Sequence, residues 1–306
     1  MVRLPFVDPS RYYKKMAVVR QRHLDRIEAG LAFDWQALPS CQQSADGVSP
    51  DTETLVFSSA DSSFDGLSKL SRLRVLVAGG VDRPFLDEIC AIQSLETLHL
   101  VPAGDVRDLS PLHRLDRLRH LRVANTRTIT SLEWASGLKS LLSLGVENLT
   151  AVHDLAPLAN LANLRALEID GAIWTKMQIR SLSPLGALRG LEYLFLGNIQ
   201  VDDDSLEPLH SLQALQVLEV PERFPMRQCA RVCGALRKLR EPPFVPYYFL
   251  ERHMSGAHCV KCGNLQAKPT GRGLRLACVR CSAGRLKKHV DNWEAFAEAA
   301  VCVVSG

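Results

Sequence analysis

Apolar positions recur along the chain in a unit of the form Leu-x-x-Leu-x-Φ, where Φ is an apolar residue. Its first leucines are separated by 22, 23, 23, 23, 27 and 24 residues, and they are Leu73, Leu95, Leu118, Leu141, Leu164, Leu191 and Leu215. Alternation of apolar and polar positions after each leucine predicts one short strand per unit. The predicted strands cover residues 54–57, 75–78, 97–101, 120–124, 143–147, 166–170, 193–197 and 217–220.

A second phrase repeats between the predicted strands. Asp108-Leu109-Ser110-Pro111-Leu112 has counterparts that begin at Asp154, Ser181 and Ser205. Asp or Ser can cap a short helical turn, Pro is tolerated near its start, and leucines three residues apart suit a 3₁₀ turn. One such unit cannot bury its leucines alone, whereas stacked units share a continuous core that is covered at both ends. The pattern therefore predicts a solenoid.

These residues resemble the internalin-type class of bacterial leucine-rich repeats, and the resemblance covers residues 51–221. It implies a repeat solenoid with a parallel sheet. The chain departs from that class in its asparagines, because Asn125, Asn148 and Asn198 stand one place early. The position expected for asparagine is occupied instead by Val81, Ala103, Thr126, Leu149 and Ala172. This departure concerns the turns after the strands and leaves the fold prediction intact.

Amphipathic segments flank the repeats on both sides. The first is a predicted helix over residues 11–29, capped by Ser10, ended by Gly30 and carrying an apolar stripe that begins at Tyr12. The second stripe runs from Met226 to Leu239 and stops before Pro242. We interpret both as helical caps of the solenoid. The first stripe also suits docking on a partner or a membrane.

Four cysteines near the C-terminus form two closely spaced pairs. Cys259-Val260-Lys261-Cys262 is followed, after fifteen residues, by Cys278-Val279-Arg280-Cys281. Each pair can form a tight knuckle, and four thiolates complete a tetrahedral shell, so the segment resembles zinc ribbons. We expect a structural Zn²⁺ ion on these four cysteines, which already suffice, although His258 and His289 could substitute as ligands. A redox or disulfide role would be favoured only in a secreted protein.

The resulting fold class is α/β: a leucine-rich-repeat solenoid with helical caps plus a small C-terminal zinc-ribbon domain. Residues 1–50 are predicted to form the N-terminal helical cap. Residues 51–241 form the solenoid with its C-terminal capping helix, and residues 242–306 form a linker, the ribbon and a final helix. The apolar linker over residues 242–249 is expected to lie against the repeats or the ribbon.

Side chains between the strand leucines point away from the core and form the predicted concave surface. The predicted partner-binding residues are His99, His120, Arg122, Glu147, Glu168, Asp170, Tyr193 and Phe195. Mixed charge with aromatic anchors favours a protein partner over nucleic acid. The alternative is that these side chains are merely solvated and that binding occurs on an edge or on the convex face.

Charge is distributed unevenly around the formal net value of +4. Residues 1–30 hold seven Lys/Arg against three Asp/Glu, and residues 226–306 hold fourteen against five, so the centre is acidic. Basic residues crowd the ribbon, and basic surfaces bind phosphates. Possible nucleic-acid contacts are Lys261, Arg272, Arg280, Lys287 and Lys288. A nucleic-acid-associated adaptor is therefore the alternative function.

Motifs for catalysis are missing from the sequence. It has no Gly-x-Ser-x-Gly elbow, phosphate-binding loop, His-Glu-x-x-His helix or dinucleotide fingerprint, so we predict no catalytic residues and no small-molecule substrate. It also has no apolar core of signal-peptide length and no long apolar run, which predicts a cytoplasmic protein without a membrane contact. The predicted function is non-enzymatic protein binding on the concave face, as a scaffold or an immunity- or antitoxin-like factor.

Overall fold

The computed structural model describes residues 15–34, 36–58, 64–102, 106–171, 174–250 and 254–304. Its main sheet has eight parallel strands in sequence order, one from each repeat. They are β1 (Thr54–Ser58), β2 (Val75–Val81), β3 (Thr97–Pro102), β4 (His120–Ala124), β5 (Ser143–Glu147), β6 (Ala166–Asp170), β8 (Tyr193–Gly197) and β10 (Val217–Glu219). A second, two-stranded parallel sheet joins β7 (Met177–Ile179) to β9 (Ile199–Val201). The predicted strands are confirmed.

Leucines stack between neighbouring repeats because the strands pair without slippage over most of the sheet. Leu98 aligns with Leu76 on one side and with Leu121 on the other, and the row continues to Leu218. Most of these side chains are fully buried. Burying one leucine contributes roughly 1.5–3 kcal/mol, so the shared row stabilises all repeats together.

Short helical turns return the chain to the next strand, as the second repeated phrase predicts. Four of them carry Pro near their start, at Ser110–Arg114, Ala156–Asn160, Ser183–Ala187 and Glu207–Ser211. One repeat instead contains an α-helix, α2 (Arg83–Ile89), where the Asp82 side chain accepts a hydrogen bond from the Phe85 backbone N–H at 2.9 Å. Asp82 therefore caps this helix.

The early asparagines adopt the left-handed conformation directly after their strands. Asn125, Asn148 and Asn198 have φ values of 60°, 54° and 34°. Asparagine tolerates this region better than most residues, because its short polar side chain can bond locally. Asn148 Nδ2 also donates to Asn125 Oδ1 at 3.1 Å, which links two turns across neighbouring repeats.

The N-terminal helix lies elsewhere than the sequence predicts. Helix α1 (Lys15–Glu28) contacts the concave face of the sheet instead of the end of the stack. The first repeat is covered by residues that follow this helix: Gln42 pairs with β1 beside Phe57, and Ala45 and Val48 pack against the core. The predicted cap residues Ser10 and Tyr12 lie outside the described residues.

The C-terminal end of the stack is covered by two helices. Helix α3 (Met226–Ala235) buries Cys229 and Val232, and α4 (Ala283–Val304) packs on it. The two backbones approach so closely that a Cβ atom on Gly234 would lie 2.0 Å from the Ala297 carbonyl oxygen. Trp293 of α4 joins the core of the repeats. No helix in the described ranges is long and apolar enough to cross a membrane.

The linker and ribbon form a small three-stranded antiparallel sheet. Strand β11 (Tyr247–Phe249) pairs with β12 (Gln266–Pro269), which pairs with β13 (Ala277–Cys278). Phe244 of the linker is buried in the repeat core, and Tyr247 is buried in the ribbon cluster. The linker thus contacts both parts, as predicted.

Candidate functional site

The structure brings the eight predicted partner-binding residues together on the concave face. The strand register places Arg122 beside His99, and Glu168 beside Phe195. Gly145 stands between Arg122 and Glu168 in the same row. A Cβ atom on Gly145 would lie 3.1 Å from Arg122 Cγ, so the absent side chain gives the arginine room to cross the sheet.

Arg122 joins two acidic side chains of the sheet. Its Nη2 atom lies 2.6 Å from Glu147 Oε2, and its Nη1 atom also contacts Glu168 Oε2. Glu168 is 2% exposed. A charged group this deeply buried is stable only when its partners supply opposite charge and hydrogen bonds.

Helix α1 supplies the second partner of Glu168. Arg26 Nε donates to Glu168 Oε1 at 2.7 Å and Arg26 Nη1 donates to Glu219 Oε2 at 3.1 Å. The same guanidinium lies over the Phe195 ring, 4.2 Å from its centroid. Arg22, one helical turn earlier, donates to Glu219 Oε1 at 3.3 Å. The arginine side of α1 therefore faces the carboxylates of the sheet.

The backbone that follows α1 also forms hydrogen bonds with side chains of the sheet. Ser143 Oγ donates to the Gly30 carbonyl oxygen at 2.9 Å, and Arg122 Nη1 donates to the Leu31 carbonyl oxygen at 3.2 Å. Gly30 has φ of +70°, and a Cβ atom there would lie 2.3 Å from His120 Nδ1. Both the conformation and the contact require glycine.

Further contacts hold the C-terminal part of this N-terminal segment, defined as residues 15–33. Phe33 packs its ring on His99, with centroids 4.2 Å apart. At the last residue of α1, Glu28 accepts a hydrogen bond from the Tyr193 hydroxyl at 2.7 Å and two from Arg240, each at 2.9 Å. The hydrogen bonds from Arg240 and Tyr193 lower the pKa of Glu28 to about 2.

The predicted open surface is therefore covered. His99, Glu168, Tyr193 and Phe195 are at most 8% exposed, because the N-terminal segment lies on them. Burial lowers the pKa of His99 to about 3, so this imidazole is neutral. Burial, with the charges of Glu168 and Glu147, raises the pKa of Asp170 to about 6. The face binds a polypeptide already, and that polypeptide belongs to the same chain.

The four predicted metal ligands converge in the C-terminal ribbon. The Sγ atoms of Cys259, Cys262, Cys278 and Cys281 all lie within 4.8 Å of one another. Backbone N–H groups of Arg280 and Cys281 point at Cys278 Sγ, each at 3.4 Å, as in a tight knuckle. Four soft thiolates without a carboxylate suit a tetrahedral metal ion. Among the described residues, this group contains neither His258 nor His289.

One parallel strand per repeat, a shared row of leucines and a separate four-cysteine module decide the architecture. The chain is a leucine-rich-repeat solenoid with a C-terminal cysteine module.

Known proteins with similar folds include three bacterial leucine-rich-repeat structures. Internalin C2 of Listeria monocytogenes is 30% identical over 50% of this chain and 63% of its own, with a TM-score of 0.41. Internalin F of the same organism is 22% identical over 56% and 61%, with a TM-score of 0.38. A leucine-rich-repeat protein of Leptospira interrogans is 18% identical over 62% and 54%, with a TM-score of 0.41. The chain thus matches less than two thirds of each.

No protein-family model matches the chain, and no curated protein matches it either. Its function must therefore be inferred from the geometry of its own residues.

The five predicted nucleic-acid contacts of this leucine-rich-repeat protein fall into two groups. Arg272 forms two hydrogen bonds with Asp204 of the solenoid, at 2.8 and 2.6 Å, and Lys287 pairs with Asp291 at 2.7 Å. The other predicted nucleic-acid contacts are exposed: Lys261, Arg280 and Lys288. Binding of nucleic acid by these side chains stays a prediction, and two of the five are already neutralised by acidic partners.

Three residues of the concave site make contacts that the sequence pattern does not assign to them. The pattern places Arg26 and Gly30 only in a capping helix and at its end, and it places Glu219 in the last predicted strand without a role in binding. A signal is nevertheless present in the charges. Arg22 and Arg26 are one helical turn apart, and the central strands carry an unusual concentration of carboxylates, so charge complementarity could have paired them.

Proposed function

We propose that the chain is a non-enzymatic protein-binding module that uses the concave sheet as its recognition surface. One observation carries this proposal: the surface already holds a polypeptide, through Ser143 to the Gly30 carbonyl and Arg122 to the Leu31 carbonyl. Contacts to main-chain atoms are the usual means by which a protein holds an extended peptide. A protein partner would take the place of the N-terminal segment, in a scaffold or in an immunity- or antitoxin-like complex.

A protein partner could make the same kinds of contact with the sheet as the N-terminal segment makes. Among the side chains described for its residues 21–33, the apolar cluster is small, with Ala29 and Leu31 packed on Ala166, Tyr193 and Phe195. The remaining contacts are ion pairs, hydrogen bonds and ring contacts, which a second polypeptide could make in the same way. A tethered segment competes at an effective concentration of roughly millimolar, so a partner must bind the open face tightly to displace it.

We further propose that the four cysteines hold a structural Zn²⁺ ion. A Zn–S distance of about 2.3 Å gives a tetrahedral S···S edge of about 3.8 Å. The observed Sγ separations of 3.4 Å for Cys262–Cys278 and 4.0 Å for Cys259–Cys281 lie on either side of that value. Four thiolates leave no open position for a water, which favours a structural role over a catalytic one.

A cytoplasmic location completes the proposal. None of the eight cysteines in the described part of the chain forms a disulfide, and the exposed Cys41 is among them. Reducing compartments maintain cysteines in this state, and paired cysteines of this spacing then bind metal.

Affinity capture with three full-length baits tests the protein-binding proposal. The baits are the unaltered chain, Gly30→Ala and Gly47→Ala, each used with and without nuclease. Both glycines have positive φ, +70° and +82°, but a Cβ atom on Gly47 has nothing within 4 Å, so Gly47→Ala controls for backbone strain. We expect a stoichiometric, nuclease-resistant protein to be enriched on Gly30→Ala, where the segment is loosened. Equal capture by all three baits would place the binding site elsewhere.

A further inference from the structure

The concave face has a charge imbalance that the N-terminal segment corrects. Four carboxylates lie close together in this part of the sheet, and we call them the concave carboxylates: Glu147, Glu168, Asp170 and Glu219. Arg122 of the sheet pairs with two of them, and Arg22 and Arg26 of α1 supply two further positive charges. If the segment left, the concave carboxylates would keep Arg122 alone among these three arginines. The open carboxylates therefore attract a cationic group, while Arg240, which would lose Glu28 at the same time, lies at the other side of the segment's footprint and would attract an anionic group.

The site of Arg26 is selective for a guanidinium group. Glu168 and Glu219 accept from two different nitrogen atoms, and the Phe195 ring supports the planar group from below at 4.2 Å. A planar fork of donors satisfies two carboxylates and stacks on a ring, whereas an ammonium group is a compact point charge. Glu168, being 2% exposed, also needs a charged partner whenever the face is covered.

The contacts of the residues after Arg26 define a second requirement for a segment that binds the concave face. The backbone passes His120 at Gly30, where a side chain would collide, and then places Leu31 on Tyr193 and Phe195. The segment that fits the face is thus a helix with arginines one turn apart, which ends at a glycine and continues with an apolar residue.

We propose that the protein partner binds this face through an arginine-bearing helix of that form, and that α1 is its intramolecular competitor. This inference rests on the proposed function and adds the chemistry of the partner to it. Release of α1 and entry of the partner helix exchange one set of guanidinium contacts for another. The buried Glu168 then has a charged partner in both states.

Synthetic peptides of residues 15–34 are the probes for this inference. One has the natural sequence, one carries Arg22→Gln with Arg26→Gln, one carries Arg26→Lys, and one is a scrambled sequence of equal charge. Each is labelled, and its affinity for the full-length Gly30→Ala protein is measured by fluorescence anisotropy. Gly47→Ala, with its segment in place, is the matched control.

We expect the natural peptide to bind Gly30→Ala about tenfold or more tightly than it binds Gly47→Ala, because the tethered segment competes in the control. Loss of both arginines should weaken binding at least about tenfold, and Arg26→Lys should weaken it less. A second receptor, full-length Arg22→Gln with Arg26→Gln, loosens α1 without changing any residue of the sheet. It should bind the natural peptide in the same way.

The outcomes separate the two proposals. Equal binding of the natural peptide and the peptide with Arg22→Gln and Arg26→Gln would overturn the guanidinium requirement and leave peptide binding on the concave face standing. Equal binding of the scrambled and the natural peptide would overturn both the arginine requirement and the glycine requirement, since charge alone would explain the affinity. If no peptide binds either of the two loosened receptors, the concave face is not a recognition surface and the proposed function is overturned.

Discussion

The two ends of this chain attach to the same solenoid through different physical interactions. At the C-terminal end, α4 packs on α3 at the distance that Gly234 permits, and Trp293 enters the repeat core. At the N-terminal end, among the side chains described for residues 21–33, Arg26 holds α1 on Glu168 and Glu219, and a small apolar cluster around Leu31 holds the residues that follow the helix. A partner that carries arginines can offer the same ion pairs to the sheet, whereas the close packing of α3 and α4 depends on the matched shapes of these two helices. Under our proposal, the C-terminal attachment is therefore permanent and the N-terminal attachment is replaceable.

The largest expected effect concerns the cysteine module. Cys262→Ala removes one of four thiolates, and structural zinc can contribute on the order of 10 kcal/mol to folding of a small module. We expect bound zinc to fall from one ion per chain to none, with proteolysis confined to the ribbon. Elemental analysis and limited proteolysis measure this, and Cys41→Ala is the control because Cys41 is exposed and outside the cluster. Unchanged metal content would contradict the assignment.

The next largest effect is expected at the replaceable attachment. Glu168→Gln leaves two arginines without their shared buried carboxylate and should destabilise the docked segment by about 3 kcal/mol. Glu222→Gln is the matched control, because its ion pair with Lys268 is roughly half exposed and should contribute less than about 1 kcal/mol. Urea unfolding of both variants measures the difference. Equal destabilisation would show that the concave ion pairs are no more important than surface pairs.

The permanent attachment is expected to respond to a single methyl group. Gly234→Ala places a Cβ atom 2.0 Å from the Ala297 carbonyl oxygen, so α3 and α4 must move apart, with a loss of about 2 kcal/mol. Gly284→Ala in α4 meets nothing within 4 Å and should be neutral or slightly stabilising. Thermal unfolding of the two variants gives the comparison. A Gly234→Ala protein as stable as the control would contradict close helix packing.

The smallest expected effect depends on pH. The pKa of Asp170 is raised from 3.8 to about 6, so ionisation is unfavourable in the folded state. Its stabilising contribution is complete below pH 3.8 and is lost as the pH rises through about 6. Because the side chain is partly exposed, we expect Asp170→Asn to gain only about 1 kcal/mol at about pH 8, and no comparable gain at about pH 3.5. Denaturant unfolding at both values measures it, and a pH-independent change would contradict the assignment.

Much of the fold could be predicted because its signals are local. The strand patterns around Leu121, Leu144 and Leu167 have a period of two, and the resulting bounds match β4, β5 and β6. The cysteine pairs were equally clear, since ligand spacing reflects the geometry of a metal knuckle. Left-handed turns at Asn125 and Asn148 were harder to predict, because asparagine occurs in several kinds of turn.

The position of α1 could not be predicted from its own pattern. An apolar stripe that ends at Gly30 looks the same whether the helix covers the end of a stack or the face of a sheet. The deciding contacts are non-local, since Arg26 and Glu168 are 142 residues apart in sequence. Only the combined charges of the two segments indicate that they meet, and neither segment carries that information alone.

Hydrogen–deuterium exchange of residues 21–33 tests the occupied concave face most directly. The Ala29 amide donates to the Asp25 carbonyl oxygen at 3.0 Å and the Leu31 amide donates to the Arg26 carbonyl oxygen at 2.8 Å, so both report the docked segment. We predict slow exchange in the unaltered chain and in Gly47→Ala, and exchange about tenfold or more faster in Gly30→Ala. Fast exchange in the unaltered chain, or equal protection in the two variants, would contradict the docking of this segment on the sheet.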